Sequence, residues 1–269
     1  GDFSFYDLLI EAVKKGEVPM SRIDDAVKRI LVMKYKTGLF ENPYPEPASF
    51  GNFGKPEFQQ YALDAAREAM TLLKNSDQVL PLAKNKKILV AGPAAQSISA
   101  LNGCWSYTWQ GNVDKWYPAD SKTIYQSFID KIGAANVITT TQPGFDSPQN
   151  YDVNALKKAA TGVDVIVLCI GENAYAESPG NIRDLALPKE QEDLVTAAAL
   201  TGKPVILVLT EGRPRFISNI EPAVKGILMA YWSGRKTAEA ITDVLFGDYN
   251  PSGKLPFSYH RSMGEIVLY

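Results

Sequence analysis

The chain has 269 residues, 45% of them apolar and 22% charged, which is enough hydrophobic material for a packed core and excludes wholesale disorder. Twenty-eight basic residues against 30 acidic ones give a net charge of −2, so no nucleic-acid partner is expected, because phosphate neutralisation needs a basic surface. The longest apolar runs are strand-length and fall far short of the ~20 residues that cross a bilayer, so no membrane partner is expected either.

Two amphipathic helices open the chain. In the first, Phe5, Leu8, Leu9, Ala12 and Val13 recur at helical spacing and Gly16 ends the run. The second opens at Ser21 with Asp24 three residues on, a capping-box pattern. Its apolar face is Ile23, Ala26, Val27, Ile30 and Leu31, and Gly38 stands where a C′ glycine belongs. Pro43, Pro45 and Pro47 follow within five residues; proline fixes φ and disfavours helix before it, so an extended linker and a domain boundary are expected here. The division that results is 1–41 helices, 42–55 linker and 56–269 the main domain.

After a helix expected over 56–74, the pattern becomes strands alternating with helices. Residues 87–91 (KILVA), 137–140, 163–170 (VDVIVLCI), 204–210 (PVILVLT) and 224–231 (VKGILMAY) are short and apolar on both faces, as parallel strands covered on each side must be. Helical stretches fall near 124–132, 153–160, 188–200 and 236–246. The expected architecture is therefore α/β, a mostly parallel sheet sandwiched by helices with right-handed crossovers.

Ligands of such sheets gather outside the carboxyl ends of the strands. The loop after VDVIVLCI holds Glu172, Glu177, Arg183 and Asp184, with Pro179-Gly180 marking a turn. A carboxyl group there can act as a general acid if burial or a neighbouring carboxylate lifts its pKa; otherwise it belongs to a solvated acidic loop. The loop after the first strand carries Trp105, Trp109 and Gln110. Indole faces stack on the apolar faces of sugars and amides bond hydroxyls; the alternative is burial against the sheet, expected for one of the two tryptophans. Arg213 and Arg215 are expected to pin their loop or pair with carboxylates. Gly92-Pro93-Ala94-Ala95 follows a strand but lacks the glycine pattern of a phosphate-binding turn. Ser106 and Ser233 have no evident histidine partner for a hydrolase triad. Cys104, Cys169 and the single His260 make neither a disulfide framework nor a zinc set.

Together the stretches GENAYAESPGNIRDLALPKEQ, NGCWSYTWQG, LVLTEGRPRFI and VLFGDYNPSGKLPFS resemble glycoside hydrolase family 3. The narrower likeness is to its β-glucosidase and exo-β-glucanase members. The opening stretch resembles the part that closes the family's (β/α)8 barrel and leads into its second domain. The resemblance implies a retaining glycosidase whose nucleophilic aspartate sits on a barrel upstream of Gly1 or on another chain. A six-stranded α/β sandwich supplies the acid/base. By the motif that residue is Glu177, with Glu172 the alternative, and Trp109 is the stacking residue beyond the cleaved bond, with Trp105 beside it. The implied substrate is a β-glucoside or β-gluco-oligosaccharide, a β-xyloside remaining open, with no cofactor or metal and a periplasmic or secreted location. The chain departs from the family at Ser233-Gly234-Arg235-Lys236-Thr237-Ala238, where a different loop path is expected. A non-catalytic carbohydrate-binding module and a nucleotide-binding α/β domain are the rival readings. Both chain ends read as continuing into something longer, and without the barrel the chain is expected to be inactive.

Overall fold

The computed structural model describes residues 3–140, 144–145, 151–262 and 264. The apolar C-terminal run at 265–269 lies outside them. The chain divides into two compact units, 1–55 and 56–269.

The first unit holds α1 (Ser4–Lys14) and α2 (Met20–Lys36). Both end in the motif anticipated from their glycines. Gly16 and Gly38 take φ of 75° and 69°, and the pairs Gly16 N–H to Val13 O with Glu17 N–H to Ala12 O, and Gly38 N–H to Tyr35 O with Leu39 N–H to Lys34 O, satisfy the last carbonyls. The expected capping box at Ser21 does not form. Pro19, at φ −73°, is the N-cap and no side chain caps the helix, so Ser21 falls inside the first turn. The proline-rich stretch is not wholly extended either: Pro47–Asn52 winds a 3-10 helix, started by Pro47, whose fixed φ suits a first helical position.

The second unit is a six-stranded sheet of order β1-β6-β5-β4-β2-β3. Its strands are β1 (Thr71–Asn75), β2 (Ile88–Ala91), β3 (Val137–Ile138), β4 (Val165–Gly171), β5 (Val205–Thr210) and β6 (Gly226–Met229). All neighbours are parallel except β1, which runs antiparallel to β6. The sequence pattern misses β1, because residues 56–74 read as one helix. Helix α3 (Pro56–Ala69) in fact stops at Ala69. The run TLLK after it carries no breaker, and the free edge of β6 recruits it: side-chain period alone does not separate a short apolar strand from a helix end.

Strand period divides the apolar residues into two cores. Val165, Val167 and Cys169 of β4, with Ile206 and Val208 of β5, face α3, α4 (Ser99–Asn102), α5 (Ile124–Ile132) and α8 (Thr237–Leu245) through Ala66, Leu101, Phe128 and Ile241. Ile166, Leu168 and Ile170, with Leu207 and Leu209, face α6 (Val153–Ala160) and α7 (Lys189–Ala199) through Leu156, Leu194 and Ala198. The sheet is thus covered on both faces, as the continuous apolar runs require.

The five parallel strands stand in spatial order β3-β2-β4-β5-β6. From β2 the chain first moves outward to β3, then returns to the other side of β2 with β4. Direction of winding therefore switches between β2 and β4, and the crevice outside the carboxyl ends of those two strands is where such a sheet places a ligand. The loop that follows β4 and the loop carrying Trp105 and Trp109 after β2 belong to that edge.

Candidate active site

The loop leaving β4 is anchored at both ends by glutamine amides. Gly171, at φ 135°, approaches β5 so closely that a Cβ would lie 2.1 Å from Thr210 O, which only glycine allows. The buried Gln191 of α7 accepts the Gly171 N–H at 2.9 Å and donates to Gly171 O at 3.0 Å. Five residues on, Gln110 does the same to Ala176, accepting its N–H at 2.9 Å and donating to its carbonyl at 3.2 Å. Between the clamps Glu172 N–H donates to Thr210 O at 2.9 Å, and Asn173 Oδ1 accepts from Ala174 N–H at 2.9 Å and from Ser99 Oγ at 3.2 Å.

This scaffold gives the two motif glutamates opposite surroundings. Glu172 is 9% exposed. Its Oε1 lies 2.9 Å from Arg215 Nη1 and 3.0 Å from Arg213 Nε, and Tyr175 donates its hydroxyl to Oε2 at 3.4 Å. Arg213 also stacks over the Tyr175 ring, 3.9 Å from guanidinium carbon to centroid, and Arg215 donates to Ala186 O. Both arginines pin their loop by pairing with a carboxylate, as expected for them. Glu177 is exposed, and among the described residues its carboxylate has no hydrogen-bonding or ionic partner. Its backbone sits at φ 53°, ψ −140°, a conformation that costs a non-glycine residue of order 1–3 kcal/mol and persists only where neighbours enforce it. Here they do: Gln110 fixes Ala176 before it, Glu177 O accepts Gly180 N–H at 2.9 Å, and Gly180 packs so close to Tyr175 that a Cβ would lie 2.2 Å from its ring.

Neither sequence-highlighted tryptophan is buried. Trp105 is 68% and Trp109 47% exposed, which corrects the expectation that one of them packs against the sheet. A third indole, the half-buried Trp232, is the one packed inward, lying against Gly103 and Gly212 and edge-on to Tyr175 at 4.8 Å. Trp105 and Tyr107 take positive φ of 58° and 61°, and Trp105 N–H donates to Trp109 O at 3.0 Å, so the loop turns tightly and holds both indoles outward. The loop at Ser233–Ala238 is tied down by Gly234 N–H donating to Leu101 O at 2.9 Å and by an Arg235–Asp120 ion pair.

The turn at 92–95 is not a phosphate cradle. A Cβ on Gly92 would lie 2.4 Å from Cys169 O, Ala94 N–H is spent on that same carbonyl, and Ala94 and Ala95 are buried. Gly92 is there for close approach to β4. Cys169 is buried in the core, and burial pushes its thiol up; it acts as the small hydrophobe its apolar run suggests.

Two further residues lie at the candidate site: Gln191, which sequence reasoning passed over, and Glu211, whose loop it marked but whose burial it did not. Gln191 sits in a KEQED run that reads as a solvated helix start, and only the fold shows it turned inward. Glu211 directly follows β5 and is 1% exposed. Its Oε1 accepts the Tyr259 hydroxyl at 2.7 Å and Arg215 N–H at 3.3 Å, and Oε2 is buried without a partner among the described residues. Burial pushes its pKa up to about 8, against the pull of Tyr259 and Arg215.

Comparison with known proteins agrees with this architecture. Residues 70–269 match the Glycosyl hydrolase family 3 C-terminal domain, and the chain belongs to glycoside hydrolase family 3. It is 38% identical to the lysosomal beta glucosidase of Dictyostelium discoideum over 98% of this chain and 33% of that protein. It is 33% identical to a beta-xylosidase of Formosa agariphila over 97% of this chain and 36% of that protein. The β-glucosidase of Listeria innocua, solved in complex with isofagomine, superimposes with a TM-score of 0.85 at 28% identity, over 97% of this chain and 36% of that one. The chain spans about a third of the length of these relatives.

Proposed function

We propose that this chain is the acid/base-bearing part of a retaining, exo-acting β-glycosidase, most simply a β-glucosidase, and that Glu177 is its acid/base. The observation that supports this is the contrast between the two motif glutamates. Glu172 is committed to two guanidinium groups and a phenol, so its lone pairs are engaged in holding Arg213 and Arg215. Glu177 projects free from a strained, enforced backbone at the switch-point edge of the sheet, joined through Gln110 to the loop that presents Trp105 and Trp109.

In this reaction the Glu177 carboxyl donates its proton to the glycosidic oxygen as the leaving group departs. A carboxylate on a separate barrel domain attacks the anomeric carbon and forms a glycosyl–enzyme. The Glu177 carboxylate then takes a proton from water, whose oxygen displaces the barrel carboxylate with retained β configuration. Retention needs the two carboxyl groups about 5–5.5 Å apart. Trp109, with Trp105 beside it, offers an apolar face to the sugar on the leaving-group side. Without the barrel carboxylate, the chain alone has no nucleophile and hydrolyses nothing. The likeness to a beta-xylosidase keeps a β-xyloside as the second substrate reading.

The test compares Glu177→Ala with Glu172→Ala in the complete enzyme. Glu177→Ala slows hydrolysis of alkyl glucosides by roughly 10²–10⁴-fold and leaves the glycosylation step of dinitrophenyl glucoside far less affected, because a good leaving group departs without a proton. Glu172→Ala disturbs loop and stability and lowers both substrates alike. The reverse assignment of that leaving-group dependence would make Glu172 the acid.

A further inference from the structure

The loop that carries the two exposed indoles is closed on itself around Gln110. A Cβ on Gly111 would lie 2.1 Å from Gly103 O, so the two ends of the loop touch. Gly111 N–H donates to Thr108 Oγ1 at 3.1 Å and the Tyr117 hydroxyl donates to Gly111 O at 2.7 Å. Trp109 O, on the other side of Gln110, accepts Trp105 N–H at 3.0 Å. From this fixed frame the Gln110 amide meets both backbone polar groups of Ala176. Ala176 is buried, so no solvent stands ready to replace those bonds, and a buried backbone group left without a partner is costly. The next residue is Glu177.

We infer that Gln110 is the positioning residue of the acid/base, its side-chain amide fixing the backbone from which Glu177 projects to the same rigid loop that presents Trp105 and Trp109. The inference rests on the reading of Glu177 as proton donor. It makes the leaving-group platform and the donor one unit: a sugar stacked on Trp109 and the carboxyl that must reach its glycosidic oxygen are registered through one side chain. Proton transfer needs a heavy-atom approach of about 2.6–3.2 Å, and the amide touches neither substrate nor proton.

The test uses the complete enzyme with two substitutions. Gln110→Met keeps the length of the side chain and removes both hydrogen bonds. It should lower kcat/KM on an alkyl glucoside by about 10–100-fold, the cost of an ångström-scale misplacement, and spare kcat/KM on dinitrophenyl glucoside, which reports glycosylation alone. On that second substrate kcat falls with the base-assisted step. Gln110→Glu keeps folding and geometry in reach even if the methionine variant proves unstable. A protonated carboxyl can donate to Ala176 O and accept from its N–H as the amide does, whereas an ionised one cannot donate. That variant should therefore approach wild-type kcat/KM at low pH and acquire an extra loss in kcat/KM as pH rises through the carboxyl range, again on the alkyl glucoside and not on the dinitrophenyl one. A purely structural glutamine would lower kcat/KM on both substrates together and add no such limb, and that result overturns the inference. If Gln110→Met matches wild type on both substrates while Glu177→Ala shows the leaving-group dependence, Gln110 is not the positioning residue and the Glu177 reading stands. If Glu177→Ala lacks that dependence, both fall.

Discussion

Glu172 and Glu211 follow the last residues of two adjacent strands, since Gly171 pairs with Thr210, and this brings two acidic side chains into one buried corner. Arg215 reconciles them: its guanidinium is 2.9 Å from Glu172 and its N–H bonds Glu211. The charge is divided unequally. Glu172 has the two cations, and Glu211 is buried enough to keep its proton, with a pKa raised from 4.5 to about 8. A carboxyl that binds its proton more tightly when folded stabilises the protein fully below about pH 4.5, and that contribution is lost as pH rises through 8. Stability from this group therefore falls with rising pH across that window, by up to about 1.4 kcal/mol per pH unit for one proton. Glu211→Gln keeps an acceptor for Tyr259 and removes the titration. Urea unfolding at a series of pH values should show the variant gaining on wild type steadily from pH 5 to pH 8, as order-of-magnitude linkage requires. Parallel curves would place the Glu211 proton elsewhere. At this scale the motif residues were legible in the sequence, because Glu172, Glu177, Trp105 and Trp109 all lie in loops after strands. Their surroundings were not, because the side chains that set them are remote in sequence: Arg215 lies 43 residues from Glu172 and Gln110 lies 66 residues from Ala176.

Helices α3, α5 and α8 cover one face of the sheet and meet at a single carboxylate. Asp243 of α8 accepts Arg67 Nε of α3 at 2.8 Å and Arg67 Nη2 at 2.5 Å on Oδ2, while Lys131 Nζ of α5 lies 2.5 Å from Oδ1. Arg67 is also held by Asp64 at 3.0 Å and Lys131 by Asp248 at 2.8 Å. Removing one member of a buried ionic cluster strands its partners and costs about 3–5 kcal/mol when they are fully buried. With remaining partners and partial exposure, Asp243→Ala should cost about 2 kcal/mol, or a Tm lower by about 4–8 °C in a unit of this size. Calorimetry checks it, and a shift under 1 °C, an order-of-magnitude floor set against that expectation, would show that apolar packing alone docks α8. Elements were read best where local pattern and tertiary demand coincide. The strands β2, β4, β5 and β6 are continuous apolar runs because both faces are covered. The strand β1 was hidden because its role is decided by the free edge of β6, not by its own residues, and Ser21 was passed over as a cap because Pro19 starts the helix first.

At the scale of the whole molecule, sequence periodicity supplied alternating α and β units but not the order in which the strands stand side by side. That order, β3-β2-β4-β5-β6 with its reversal beside β2, is what makes the crevice between the β2 and β4 loops the candidate site. The chain spans a third of the length of its relatives, and on the proposed reading it gives the complete enzyme a proton donor and not the nucleophile. Azide separates those roles by stereochemistry. Glu177→Ala of the complete enzyme, given an aryl β-glucoside with a good leaving group, should accumulate glycosyl–enzyme, which azide attacks without needing a general base. The expected result is faster turnover and a glucosyl azide of β configuration, read by NMR from its anomeric coupling. An α-glucosyl azide would mean that azide had replaced a missing nucleophile at Glu177, and a rate indifferent to azide with no azide product would remove Glu177 from the chemistry.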